Sequence, residues 1–194
     1  IRSRRQRQMC IRDRYTDILN FLPGSENILI YDTDKEKCEN IFNKANVVFT
    51  LDFNSLGRAR NLSGLISKSS AKTIMIDHHE NPDNYADITI SNSKMSSTCE
   101  MVYDFICSID KSIIDNKIAT CIYTGIVEDT GSFSFPSTTS KTLKVGSELI
   151  SYGVDVTEIF EKLHNNFKFK RLKLLGSTIN NFKKKLNILE SLIK

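Results

Sequence analysis

No stretch of this 194-residue sequence approaches the roughly 18 apolar residues needed to cross a bilayer, and no hydrophobic signal region opens it. A cytoplasmic protein with no membrane partner is therefore expected. No two of the five cysteines (Cys10, Cys38, Cys99, Cys107, Cys121) form a C-x-x-C pair, so they read as reduced thiols without metal or catalytic duty. There is no internal repeat, and no low-complexity tract outside the first residues. Histidine is scarce: there are three, and two of them are adjacent.

Net positive charge is missing from most of the chain, although the formal net charge is +4. Residues 1–14 hold six arginines and one acid, a net of +5, which leaves −1 for everything after them. All 18 lysines follow that segment. Residues 1–8 also lack an apolar period that could dock on a core. Two readings fit: a basic arm for nucleic acid, or a non-native or disordered leader joined near Tyr15, which is the preferred one. The near-neutral remainder lacks the extended basic track that long nucleic-acid strands require and suits short substrates.

What is present is a composition, 40 % hydrophobic and 26 % charged, that suits one globular domain or one and part of another. From Tyr15 the pattern predicts a short helix to Leu22, a strand at Ile28–Tyr31, a helix over Lys35–Lys44 with Asp34 as N-cap, and a strand at Val47–Leu51. A helix over Arg58–Lys68 and a strand at Thr73–Ile76 follow. This alternation predicts an α/β fold with a parallel β-sheet flanked by helices. A short strand at Ala86–Ile90 comes next. Ser97 then caps a helix with Glu100 at the capping-box position and Met101, Val102, Phe105 and Ile106 on its apolar face. A longer helix over Ile113–Val127 carries Ile118, Ala119, Ile122 and Ile126, and runs into Glu128-Asp129-Thr130-Gly131-Ser132-Phe133. Helices over Thr138–Tyr152 and Val156–His164 are divided by Gly153. The stripe Phe167, Leu172, Leu175, Ile179, Phe182, Leu186 and Leu189 predicts a closing helical region.

Candidate chemistry sits at three stations. The apolar run Ile74-Met75-Ile76 ends in Asp77-His78-His79, and Val47–Leu51 ends in Asp52. In open α/β sheets, ligands bind outside the carboxyl ends of the strands, where these residues fall. The third station is Asp129, at the end of a buried helix. Without partners, the histidine pair would be a solvated turn and Asp129 a polar helix terminus. Together Asp52, His78 and Asp129 form an oxygen and nitrogen donor set without thiolate, which favours Mn²⁺, Mg²⁺, Fe²⁺ or Zn²⁺. A carboxylate between two such cations suits water-dependent displacement at phosphorus. Asp77 would hold the histidine ring or the loop, and His79 would contact a non-bridging phosphate oxygen.

These stretches also resemble a known family. Asp77-His78-His79, Leu51-Asp52-Phe53-Asn54 with Arg58 six residues after the acid, and Tyr123-Thr124-Gly125-Ile126-Val127-Glu128-Asp129-Thr130-Gly131-Ser132-Phe133 are similar to the motifs of the DHH phosphoesterases. Ser97-Thr98-Cys99-Glu100 resembles the S-T-x-E helix start of the bacterial branch that contains oligoribonucleases and 3′-phosphoadenosine 5′-phosphate (pAp) phosphatases. The resemblance runs from Tyr15 to about Leu175. It implies a hydrolase for short RNA or pAp with two Mn²⁺ ions, Mg²⁺ being the alternative. Asp52 would bridge the metals, with His78 and Asp129 as ligands. His79 would bind substrate phosphate, and Arg58 is a candidate for substrate contact. Other members of the family imply alternatives, a RecJ-like single-strand exonuclease or a cyclic-dinucleotide phosphodiesterase. Outside enzymes, a non-catalytic nucleotide-binding module is the remaining reading.

Two family features have no match here: an H-x-x-P-D-x-D strand, whose place is upstream of Ile1, and a C-terminal domain with a glycine-rich substrate-binding motif. The expected organisation is thus a leader at 1–14, an N-terminally truncated catalytic domain at 15–165, and a helix at 166–194 leading toward a further domain in cis. A homodimer is compatible with the resemblance. Three protein ligands cannot fill two coordination spheres of four to six donors, so weak metal binding and little hydrolysis are expected of this stretch alone.

Overall fold

β-Branched and aromatic residues set the strands, and their common direction sets the site. In the computed structural model, residues 10–11, 17–164 and 172–182 are described. Strands β3 (Val47–Leu51), β4 (Lys72–Asp77) and β5 (Ile88–Ser91) form a parallel sheet in that order, with β4 central. The register pairs Leu51 with Ile76 and Asp77 with Ser91, so all three strands end at one edge. A central strand is covered on both faces and needs apolar side chains on both. Accordingly Met75 and Ile76 are buried together with Asp77.

Strands β1 (Cys10–Ile11) and β2 (Leu29–Ile30) form a separate parallel pair. The sequence pattern placed Ile28–Tyr31 in one sheet with β3 and β4. Among the described residues β2 pairs instead with Cys10–Ile11, in the segment set aside as a leader. Only strand type and spacing are local; the choice of neighbour is tertiary. Helix α1 (Lys35–Lys44) starts at Asp34 as expected, but that carboxylate does not cap it. It accepts from the Ile30 N–H at 3.4 Å and from the Thr33 hydroxyl at 3.1 Å, and pairs with Lys37 at 3.2 Å.

The helix expected over Arg58–Lys68 is divided. A 3₁₀ segment at Leu56–Leu62 breaks at Arg60 (φ 44°, ψ −116°), and α2 spans Ser63–Lys68. Asp17–Phe21 is likewise 3₁₀, and Tyr15 lies outside the described residues. Behind the sheet stand α3 (Thr98–Asp110), α4 (Asn116–Asp129) and α5 (Ser140–Ser151). Their buried Met101, Tyr103, Ala119, Ile122, Ile126, Val145 and Leu149 supply the main core. A smaller cluster gathers Tyr31, Cys38, Ala59, Leu62 and Ile66.

Helix α4 starts later than its apolar stripe suggested. The Asp115 carboxylate accepts from Ile118 N–H at 2.8 Å and caps it there, after a 3₁₀ turn at Lys111–Ile113. Ser97 caps α3 by accepting from Glu100 N–H at 3.0 Å. The Glu100 side chain, however, does not return to close the box. It is buried, accepting from the hydroxyls of Ser96 at 2.5 Å and Thr142 at 3.0 Å, and so ties the start of α3 to the start of α5. Residues 157–194 form a second unit. Within it residues 172–182 are helical, and Phe167, Leu186 and Leu189 of the expected stripe lie outside the described residues. Among the described residues no helix is long and apolar enough to cross a membrane.

Candidate metal centre

The parallel register delivers the first two stations to one place. Asp52 is the residue after β3, and its N–H donates to the Ile76 carbonyl at 3.1 Å, which locks the turn to β4. Its backbone is left-handed (φ 64°), a region aspartate enters more readily than most residues. The Thr98 hydroxyl, on the first residue of α3, donates to Asp52 Oδ1 at 2.9 Å. One residue after β4, His78 places Nδ1 at 3.3 Å from the Met95 carbonyl. A proton on Nδ1 serves that contact and leaves a lone pair on Nε2. That nitrogen lies 3.7 Å from Asp52 Oδ1 and 4.0 Å from Asp129 Oδ2. The structure thus brings together the three residues the sequence singled out.

Asp129 reaches this point because α4 ends under tight control. The Thr130 hydroxyl donates to the Ile126 carbonyl at 2.6 Å and accepts from the Phe133 N–H at 3.0 Å. Gly131, Ser132 and Phe133 then follow with φ of 53°, 59° and 64°. Two successive left-handed non-glycine residues are costly for L-amino acids. The turn is held by the Ser132 N–H donating to the Val127 carbonyl at 2.8 Å.

Asp77 is fully buried and faces His79, not His78. It accepts from the His79 N–H at 2.9 Å and lies 2.8 Å from His79 Nδ1. One acid thus holds both the backbone and the ring of His79. The two imidazoles meet edge to face at 4.9 Å. Donor atoms of Asp52, His78 and His79 all lie within 4.8 Å of one another, and Asp129 extends the set beyond His78. Arg58 is not in this cluster. Its Nη1 approaches Asn54 Oδ1 at 3.4 Å, and Asn54 in turn donates to the Glu80 carbonyl at 2.6 Å, joining the loops that follow β3 and β4.

Burial, and then the charge of Asp52, hold the Asp129 carboxyl above the ordinary aspartate range. Among the described residues neither acid pairs with a lysine or arginine. Burial, with both carboxylates adding to it, pushes the Cys99 thiol up to about 12, which keeps it neutral and no ligand. Two carboxylates and the His78 nitrogen fit one divalent cation of the harder or borderline kind, completed by water. Three donors do not fill two such spheres, nor would four if His79 joined them.

Sequence reasoning missed Thr98, the Met95 carbonyl and Asn54. Thr98 left one trace, its place as the first residue after a cap, but its partner is 46 positions away. Thr98→Val is expected to keep the shape of the side chain, free Asp52 to rotate, and weaken Mn²⁺ binding roughly tenfold by calorimetry. In the metal-free protein, the raised Asp129 carboxyl is protonated more readily folded than unfolded. Its contribution therefore favours the fold at low pH and is lost as pH climbs from the ordinary value near 3.8 through the higher folded one. Asp129→Asn should flatten that part of the Tm-against-pH curve, and an unchanged curve would contradict the assignment.

The DHH family, N-terminal domain, matches residues 5–126, more than half of the sequence. This chain belongs to the DHH family. The match takes in β1 and ends three residues before Asp129. The bifunctional oligoribonuclease and PAP phosphatase NrnA of Bacillus subtilis is 41 % identical over 115 residues, 58 % of this chain and 36 % of that protein. The Thermus thermophilus protein of the same name is 36 % identical over 90 residues, 46 % of this chain and 28 % of that protein. An exopolyphosphatase-related protein of Bacteroides fragilis superposes with a TM-score of 0.87 at 37 % identity, covering 90 % of this chain and 52 % of that one. The matched regions make up about a third of the curated DHH relatives' length.

Proposed function

We propose that this DHH domain belongs to a metal-dependent phosphoesterase acting on short oligoribonucleotides, on pAp, or on both. The observation that carries the reading is the convergence of Asp52 and Asp129 on His78 Nε2, at 3.7 and 4.0 Å. In this reading Asp52, His78 and Asp129 are ligands, with Mn²⁺ as the favoured ion. The bound cation supplies charge neutralisation at phosphorus and activation of water. Thr98 keeps the Asp52 carboxylate turned inward. Asp77 holds the His79 ring through Nδ1 beside the cation site, where the ring would face a substrate phosphate. The names of the Bacillus subtilis and Thermus thermophilus relatives support the substrate class.

Donor counting supports a further element: the described residues hold one cation well and a second poorly, so turnover by this chain alone is low. The test is release of inorganic phosphate from pAp and of mononucleotides from a three-residue RNA, with Mn²⁺ and with chelator. Slow, chelator-sensitive release supports the proposal. Nucleotide binding with no release at any Mn²⁺ concentration would favour a binding module instead.

A further inference from the structure

We propose that the cleft beside His79 is a second phosphate subsite in which Lys94 receives a phosphate group other than the one being cleaved. This rests on the phosphoesterase reading above and assigns a position to the rest of the substrate. The cleft, about 410 Å³, lies between the loops after β4 and β5, with His79 and Glu80 on one side and Ser91, Asn92, Ser93 and Lys94 on the other. It is largely open to solvent, so it would cover one charged group of a ligand and not the whole of it. Its lining is polar, and apart from the His79 imidazole it holds no aromatic ring. A base would find no stacking platform there. A phosphate would find an ammonium, two hydroxyls and two side-chain amides, of Asn81 and Asn92, and the Glu80 carboxylate can accept from a ribose hydroxyl.

The β5 loop is fixed to the metal cluster by two contacts. The Asn92 N–H donates to the Asp77 carbonyl at 3.2 Å, and the Met95 carbonyl faces His78 Nδ1 at 3.3 Å. Between them the Lys94 N–H donates to Asn92 Oδ1 at 3.1 Å, and the Met95 N–H to the Asn92 carbonyl at 3.1 Å, closing a tight turn. One short segment therefore holds the His78 imidazole through the Met95 carbonyl and carries Lys94 into the lining of the cleft beside His79. Among the described residues Lys94 forms no ion pair, although it is one residue from a segment so firmly tied. A substrate with a second phosphate would supply the missing counter-charge.

The experiment is calorimetric titration of this chain, in Mn²⁺, with adenosine 3′,5′-bisphosphate and with adenosine 5′-monophosphate. Wild type is expected to prefer the bisphosphate. Lys94→Gln should lower that preference about tenfold, as loss of one charge-assisted contact would, and Lys94→Arg should restore most of it. Equal binding of both nucleotides by wild type, binding of neither, or a preference that survives Lys94→Gln would overturn the subsite. The metal reading fails separately, if Asp52→Asn leaves Mn²⁺ affinity intact. Loss of preference in Lys94→Gln alongside that result would leave the subsite standing.

Discussion

Asp52→Asn is expected to weaken Mn²⁺ binding by more than about 100-fold, beyond what loss of an outer hydrogen-bond partner produces, and to abolish chelator-sensitive hydrolysis, while the protein stays folded. Asparagine is the informative replacement for a backbone reason. Asp52 sits at φ 64°, where asparagine is tolerated but alanine costs about 1–2 kcal/mol. Asparagine also retains an oxygen for the Thr98 hydroxyl, which donates to Asp52 Oδ1 at 2.9 Å. Alanine would confuse a lost ligand with a strained turn and an orphaned hydroxyl. In the absence of metal the variant should melt at or above the wild-type temperature. Two carboxylates face one lone pair without a cation, so removing one relieves repulsion. The Asp129 carboxyl should then move part of the way back toward its ordinary value, because the charge of Asp52 is the second cause of its elevation and burial, the first, remains. Calorimetry with Mn²⁺ and a melting curve in chelator check both halves. Unchanged Mn²⁺ affinity would remove Asp52 from the ligand set.

How far the sequence reveals this arrangement depends on the range of the cause. A run of β-branched residues ending in acid or histidine is a local signal, and a parallel sheet turns it into a common edge. For that reason β3, β4, Asp52 and His78 are legible. Asp129 is legible through an apolar helical stripe that ends at Val127, two residues before it, with Gly131 following. The losses have longer-range causes. Asp34 has the chemistry of a cap, yet its carboxylate turns to Ile30 and Lys37. Glu100 stands at a capping-box position, yet burial against Ser96 and Thr142 outweighs the local bond. Thr98 and Asp52 meet only because α3 packs across the end of the sheet. The break at Arg60 has no signature in residue type, since an arginine at positive φ is adopted under tertiary constraint.

Gly125→Ala should destabilise the protein by about 1–2 kcal/mol and weaken metal binding with it, although alanine is the better helix former by roughly 1 kcal/mol. A Cβ at position 125 would lie 2.1 Å from Cys99 Sγ and 3.0 Å from Cys99 Cβ, so the Cys99 side chain of α3 packs directly on the α4 backbone at Gly125. The Cys99 Sγ can turn aside but its Cβ cannot, so relief also requires the two helices to shift apart slightly, and overpacking of this kind costs about 1–3 kcal/mol. The consequence reaches the site, because α3 begins with Thr98, which holds Asp52, and α4 ends with Asp129. Parting the helices would separate the two carboxylates. Cys99→Ala alone should change little at the cluster, since a thiol pushed up to about 12 carries no charge at neutral pH. Combined with Gly125→Ala it removes the sulfur but leaves two Cβ atoms 3.0 Å apart, closer than the roughly 3.5–4.0 Å at which carbon atoms rest, so it should restore part of the lost stability and of the Mn²⁺ affinity. Cys99→Gly with Gly125→Ala moves the small residue to the other helix and should restore the affinity further. A double-mutant cycle in melting temperature, read beside Mn²⁺ calorimetry, distinguishes the outcomes: coupling of about 0.5–3 kcal/mol is expected of residues in contact. Strict additivity, or a Gly125→Ala variant with native metal affinity, would mean that the distance between α3 and α4 does not set the geometry of the site.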